Sequence, residues 1–273
     1  MASSRLSPLF RRRLIWVVAI VTWIGLWVTP ALSESGTPRY ALDRIKKVHL
    51  TTSDKVRLAA IYLPPEDVTV KRPALLLLHG WGMHKERWVE SGFLSYMAKD
   101  EYHFLAIDIR GRGKSGSGDA EALKKDPTLA YRDIEAALKW LATKKGVDID
   151  RVGLVGSSFG ANLSTSGLMS QEWNVRTVVS LSATASAYRY LEIHEQRQPL
   201  PSGLFIASDN ELARYDAAAT AKRLVTDTSG EHELKIYPGK VHALWLFELR
   251  DDIRPVVADW LRERLQDQPI TTK

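Results

Sequence analysis

The sequence contains no cysteine, so the fold can carry no disulfide, the chemistry no thiolate nucleophile, and any metal no cysteine ligand. Metal patterns are missing more widely. There is no H-E-x-x-H, and His84 and His242 stand apart from other candidate ligands, which excludes the common zinc spacings. The glycine-bearing run from Asp108 to Ser115 has no G-K-[ST] ending at Walker spacing and does not fit the dinucleotide fingerprint, so nucleotide binding is disfavoured and no cofactor is expected. Internal repeats and low-complexity tracts are absent too. The formal net charge of +6 suggests a polyanion partner until it is located: Arg5, Arg11, Arg12 and Arg13 supply four of the six before the first acid, Glu34, leaving only +2 for the remaining chain. There Lys and Arg interleave with Asp and Glu, the pattern of a solvated face, and nucleic acid is not an expected partner.

What is present is enough apolar sequence for a real core. In 273 residues 45% are hydrophobic and 26% charged, the composition of an ordinary globular chain with one well-buried domain. The first 33 residues read differently. After Arg11-Arg12-Arg13 comes the apolar run Leu14 to Val28, and no charge appears until Glu34. A basic start, an apolar stretch and the small residues of Ala31-Leu32-Ser33 fit a secretory signal peptide. The charge-free span from Leu14 to Ser33 also fits an uncleaved membrane anchor, since a helix needs roughly 20 residues to cross. Either reading leaves the arginines on the cytoplasmic side and residues 34–273 outside it, secreted, periplasmic or membrane-anchored.

Beyond this segment, strand and helix patterns alternate. Val48 to Thr52 and Val56 to Tyr62 predict a hairpin about Ser53-Asp54-Lys55. Ala74 to Leu78, Phe104 to Ile107 and Val152 to Gly156 are continuous apolar runs, the mark of strands covered on both faces of a parallel sheet. Val175 to Ser182, Gly203 to Ala207 and His232 to Tyr237 predict three more strands. Helices are predicted over Trp88 to Met97, Asp126 to Lys145, Gly160 to Ser170 and about Leu249 to Leu265. The expected architecture is α/β, a mostly parallel eight-stranded sheet with helices on both faces. The stretch Ala183 to Ser202 leaves room for one short helix over the rim, or a crossover helix, and no large cap domain.

Gly156-Ser157-Ser158-Phe159-Gly160 matches the G-x-S-x-G elbow between a buried strand and a helix, where a serine is forced to the tip of a sharp turn and its neighbours must be small. Three further pieces follow the order of one family: Leu78-His79-Gly80-Trp81-Gly82 after the third strand, Asp108 to Ser115 after the fourth, and Gly239-Lys240-Val241-His242 after the last. On these four pieces the chain, from about Val48 to Leu265, resembles the α/β-hydrolase superfamily, specifically compact members similar to dienelactone hydrolases, serine aminopeptidases and lysophospholipase-like esterases. The resemblance implies a triad in the order Ser, acid, His. Ser158 is the expected nucleophile, Asp209 the acid after the seventh strand, with Asp216 and Asp227 next in line, and His242 the base. It also implies an oxyanion hole from the backbone N–H groups of Trp81 and Phe159, with His79 supporting its loop from outside the triad. His84, Arg87 and Arg110 are candidates to meet a substrate anion.

The expected function is hydrolysis of a carboxylic ester through an acyl-enzyme, with a small-molecule ester or short peptide as partner. Two alternatives stay open: a serine peptidase acting on short peptides, and a non-catalytic envelope binding module.

Overall fold

The computed structural model describes residues 42–116, 120–192, 197–212 and 215–266. The expectations for residues 1–33 lie outside them. Among the described residues no helix is long and apolar enough to cross a membrane.

Eight strands form one sheet: β1 (Lys46–Thr51), β2 (Arg57–Leu63), β3 (Arg72–Leu78), β4 (His103–Ile107), β5 (Val147–Ser157), β6 (Thr177–Leu181), β7 (Gly203–Ser208) and β8 (His232–Tyr237). Their order is β1-β2-β4-β3-β5-β6-β7-β8. β1 and β2 are the predicted hairpin, β2 runs antiparallel to β4, and from β4 to β8 every pairing is parallel. The leucine run of β3 lacks alternation because both faces are covered. Leu76 and Leu78 pack with Tyr131, Ile134, Leu163 and Leu224 on one side, while Leu75 and Leu77 meet Trp88, Phe93, Val257 and Leu261 on the other.

The helices are α1 (Arg87–Glu90), α2 (Phe93–Met97), α3 (Ala120–Lys125), α4 (Tyr131–Ala142), α5 (Phe159–Ser170), α6 (Ser186–Leu191), α7 (Ala217–Thr226), α8 (Trp245–Leu249) and α9 (Ile253–Leu265). One predicted helix is broken in two, and the last begins at Ile253, about four residues later than expected and behind the unpredicted α8, for local reasons. Gly92 adopts φ 74° between α1 and α2, a left-handed residue that ends a helical turn. Pro255 has no N–H and must sit in a first turn, so α9 starts at Ile253 behind an extended Arg250. The predicted helix from Asp126 opens as a 3-10 turn at Pro127–Ala130, with the Asp126 carboxylate accepting the Thr128 N–H at 3.0 Å. Between β6 and β7 the described chain holds only α6, whose Ala187 and Leu191 are buried, so no large cap covers the carboxyl end of the sheet.

Candidate active site

Ser158 stands where β5 gives way to α5, at φ 51° and ψ −108°. Such backbone costs a non-glycine residue about 1–3 kcal/mol and persists only where its surroundings hold it. Here the Ser158 N–H donates to Leu181 O at 2.8 Å, and its carbonyl accepts the Asn162 N–H at 2.9 Å. The flanking glycines let the turn close: a Cβ on Gly156 would lie 2.5 Å from Gly160 O, and one on Gly160 only 2.2 Å from Leu78 O. Any larger residue would push the elbow off the sheet. Ser157 points the other way and is buried, whereas Ser158 is part-exposed.

The Ser158 hydroxyl donates to His242 Nε2 at 2.8 Å. His242 comes from the loop after β8, and its Nδ1–H faces a carboxylate, that of Glu211. This corrects the expectation placed on Asp209. Asp209 is exposed, and its carboxylate accepts the Gly239 N–H at 2.9 Å, tying the loop after β7 to the loop after β8. Asp216 precedes α7, and Asp227 accepts the Tyr188 hydroxyl at 2.7 Å, so neither of these reserves meets the histidine. Glu211 is held from three sides. Its Oε1 accepts the Ser208 N–H and the Ser182 hydroxyl, both at 2.8 Å, and Oε2 takes the imidazole. Ser182 in turn accepts the Ala243 N–H at 2.9 Å, so one hydroxyl at the end of β6 joins the acid to the histidine loop. The Tyr215 ring stacks on His242 with centroids 4.5 Å apart. Glu211, Ser182 and Tyr215 are absent from the sequence-based site; only an acid two residues past Asp209 could have drawn the eye to the first.

Trp81 and Phe159 are brought together from opposite sides of the elbow. Phe159 is the first residue of α5, so its N–H has no carbonyl partner within the helix. Trp81 occupies the second position of a turn closed by the Met83 N–H on Gly80 O at 3.1 Å, with Gly82 at φ 76° in the third, the left-handed place that suits glycine. The two rings meet edge to face at 5.0 Å. His79 braces this turn: Nδ1–H donates to Gly80 O at 2.8 Å while Nε2 accepts the Ile109 N–H at 3.1 Å. Burial pushes its pKa down to about 4, so the ring is neutral and can accept.

The three candidates for anion binding are already occupied. Arg87 pairs with Glu90 and Glu248, Arg110 with Asp54 and Asp133, and His84 with Glu86. No group of three or more His, Asp or Glu suited to a metal ion occurs among the described residues.

Residues 73–270 match the family profile described as alpha/beta hydrolase fold. An uncharacterized Escherichia coli K12 protein, YcjY, is 29% identical over 141 residues, covering 50% of this chain and 45% of that protein. An uncharacterized 31.7 kDa E. coli protein of the traX-finO intergenic region is 25% identical over 197 residues, 67% of this chain and 62% of its own. The chain thus spans about half to three-fifths of these relatives. Among solved structures, the Pyrococcus furiosus esterase Pf2001 superposes with a TM-score of 0.60 at 20% identity, over 81% of this chain and 93% of that one. An acylaminoacyl peptidase superposes at 0.65 and 15% identity, over 82% and 42%. At these identities the likeness is one of fold.

Proposed function

The chain belongs to the α/β-hydrolase fold family, and from that premise we propose that it is a serine hydrolase that cleaves carboxylic esters. The observation that carries this reading is the unbroken line from Ser158 Oγ through His242 to the buried carboxylate of Glu211. A serine hydroxyl is a poor nucleophile until a base removes its proton. His242 Nε2 takes that proton as Oγ attacks the ester carbonyl, and Glu211 holds the ring with Nδ1 protonated and favours the imidazolium that forms. The N–H groups of Trp81 and Phe159 receive the developing oxyanion. His242 then protonates the departing alcohol, leaving an acyl group on Ser158. Water, deprotonated by His242, attacks the acyl carbonyl; the acid leaves and Ser158 regains its proton.

A peptide with a free amino end would need an unpaired carboxylate: Asp108 and Glu86 bond Lys85, and Glu90 and Glu248 bond Arg87, which leaves the exposed Asp209 as the carboxylate that aminoacyl anilides would test. The basic and apolar N-terminal run supports a hydrolase held or released outside the cytoplasmic membrane, which cell fractionation of a C-terminally tagged chain tests; full-length protein in the soluble cytoplasm would refute it. The central test is labelling of Ser158 by a fluorophosphonate, with a panel of p-nitrophenyl esters set against aminoacyl anilides. Ser158→Ala should abolish labelling and nearly all ester turnover. Retention of more than a small fraction of kcat in that variant removes the assignment.

A further inference from the structure

Several cations around the carboxyl end of the sheet are neutralised by neighbours. Lys85 bonds Asp108 at 2.7 Å, Arg110 bonds Asp133 at 2.8 Å and Asp54 at 2.7 Å, and Arg250 bonds Asp252 at 3.0 Å. Arg112, Lys114 and Lys240 pair with no carboxylate among the described residues, and of these three Arg112 alone is part-buried while both lysines are exposed. The buried Nε of Arg112 has no hydrogen-bond partner among the described residues. Its guanidinium lies over the indole of Trp81, with the central carbon 3.9 Å from the ring centroid. We propose that Arg112, stacked on Trp81, binds a free carboxylate carried by the substrate, so that the preferred esters are half-esters of dicarboxylic acids. This rests on the serine-esterase reading above.

Stacking on an indole occupies the face of a guanidinium and leaves its in-plane N–H donors free. Two of those donors match the two oxygens of a carboxylate, a geometry that a lysine cannot supply. The place is right for a second recognition point. Trp81 belongs to the turn that faces the elbow, and its ring edge meets Phe159, next to Ser158. A carboxylate held at the edge of Arg112 would therefore lie on the Trp81 side of a carbonyl over Ser158.

The loop that carries Arg112 is also fixed before any substrate arrives. Ser115 Oγ donates to Asp108 O at 2.6 Å, the Lys114 N–H to the Asp108 carboxylate at 2.8 Å, and the Gly116 N–H to Arg57 O at 2.7 Å. Gly113, at φ 52°, sits so tightly on Asp108 that a Cβ would lie 2.2 Å from its carboxylate. A cation on so fixed a loop binds with little ordering left to do.

The test compares p-nitrophenyl hemiglutarate with p-nitrophenyl valerate, which share chain length and differ in the terminal carboxylate. The readout is the ratio of their kcat/KM values in the wild type, Arg112→Gln and Arg112→Lys, because a hydrogen-bonded charge contact is worth about ten- to a hundredfold. The ratio should favour the half-ester in the wild type. It should fall about tenfold or more in Arg112→Gln, chiefly through KM of the half-ester, and take an intermediate value in Arg112→Lys. Glutarate should slow fluorophosphonate labelling of Ser158 in the wild type and not in Arg112→Gln. If Arg112 only buttresses Trp81, both esters suffer alike and the ratio stays constant, which overturns the proposal while labelling and valerate turnover keep the esterase reading. A wild type with no preference for the half-ester overturns it without any variant. Failure of Ser158 to label, with neither ester turned over, removes both.

Discussion

The carboxylate of Glu211 accepts two hydrogen bonds on one oxygen and faces His242 with the other, so it serves both as a strut between three strand ends and as the partner of the imidazole. Glu211→Gln keeps the shape and presents an amide to Nδ1, favouring the wrong tautomer. A loss in kcat of about 10⁴ is expected by analogy with the chymotrypsin Asp→Asn substitution, with an intact near-UV spectrum. Asp209→Asn keeps an oxygen that can accept the Gly239 N–H and removes only an exposed charge, so it should leave kcat within a few-fold and Tm nearly unchanged. Steady-state kinetics and melting curves of the pair separate the two acids, and a larger kinetic loss at Asp209 would reverse the assignment. Ser158 and His242 were legible because the elbow's glycines and the loop after the last strand admit few alternatives. The acid was not. Ser208-Asp209-Asn210-Glu211 offers two carboxylates, and the choice depends on the path of the turn. Asp209 N and Asn210 N are tied to Tyr237 O and Gly239 O, which directs Asp209 along the β8 edge and brings Glu211 back beneath His242.

At the scale of elements, the hairpin turn between β1 and β2 is fastened to the site's scaffold through charge. Asp54 accepts from Arg110 at 2.7 and 3.0 Å and from Arg132 at 2.9 Å, and Arg110 also bonds the buried Asp133. Arg110 holds the Asp54 carboxyl well below the usual carboxylate range. A carboxylate whose folded pKa is depressed contributes stability that is present above its unfolded value, near 3.8, and is lost as the pH falls below it. Asp54→Asn should therefore lower stability by about 1–3 kcal/mol at pH 7, and the gap to wild type should shrink in urea titrations near pH 3. A gap of constant size would show that the charge is not what Asp54 contributes. The strands around this cluster were readable to within a residue or two, since an uninterrupted Leu75-Leu76-Leu77-Leu78 has no reading but a strand buried on both faces. The break at Gly92 was not, because the apolar spacing continues through it and only the left-handed backbone there divides α1 from α2.

For the molecule as a whole, acid sensitivity is set by histidines that the fold keeps neutral. His79 lies between the oxyanion turn and the loop after β4, and burial lowers its pKa to about 4. His103 on β4, whose Nδ1 accepts the Tyr62 hydroxyl at 2.7 Å, is lowered by burial as well. The unfolded chain protonates both near the ordinary value of 6.5. Between that pH and about 4 the unfolded state therefore binds more protons than the folded one, so stability rises with pH across this window and is lost as the pH drops through it. Each fully linked proton contributes a slope of about 1.4 kcal/mol per pH unit. Denaturant unfolding between pH 7 and 4.5 should show this fall well before the carboxylates of Asp54 and its neighbours begin to protonate. His103→Asn, whose Oδ1 takes the place of Nδ1 as acceptor for Tyr62 without a titrating ring, should flatten the slope while leaving the site's geometry alone. A stability constant from pH 7 to 4.5, or an unchanged slope in His103→Asn, would mean that these rings are reached by water and carry their charge in the folded protein.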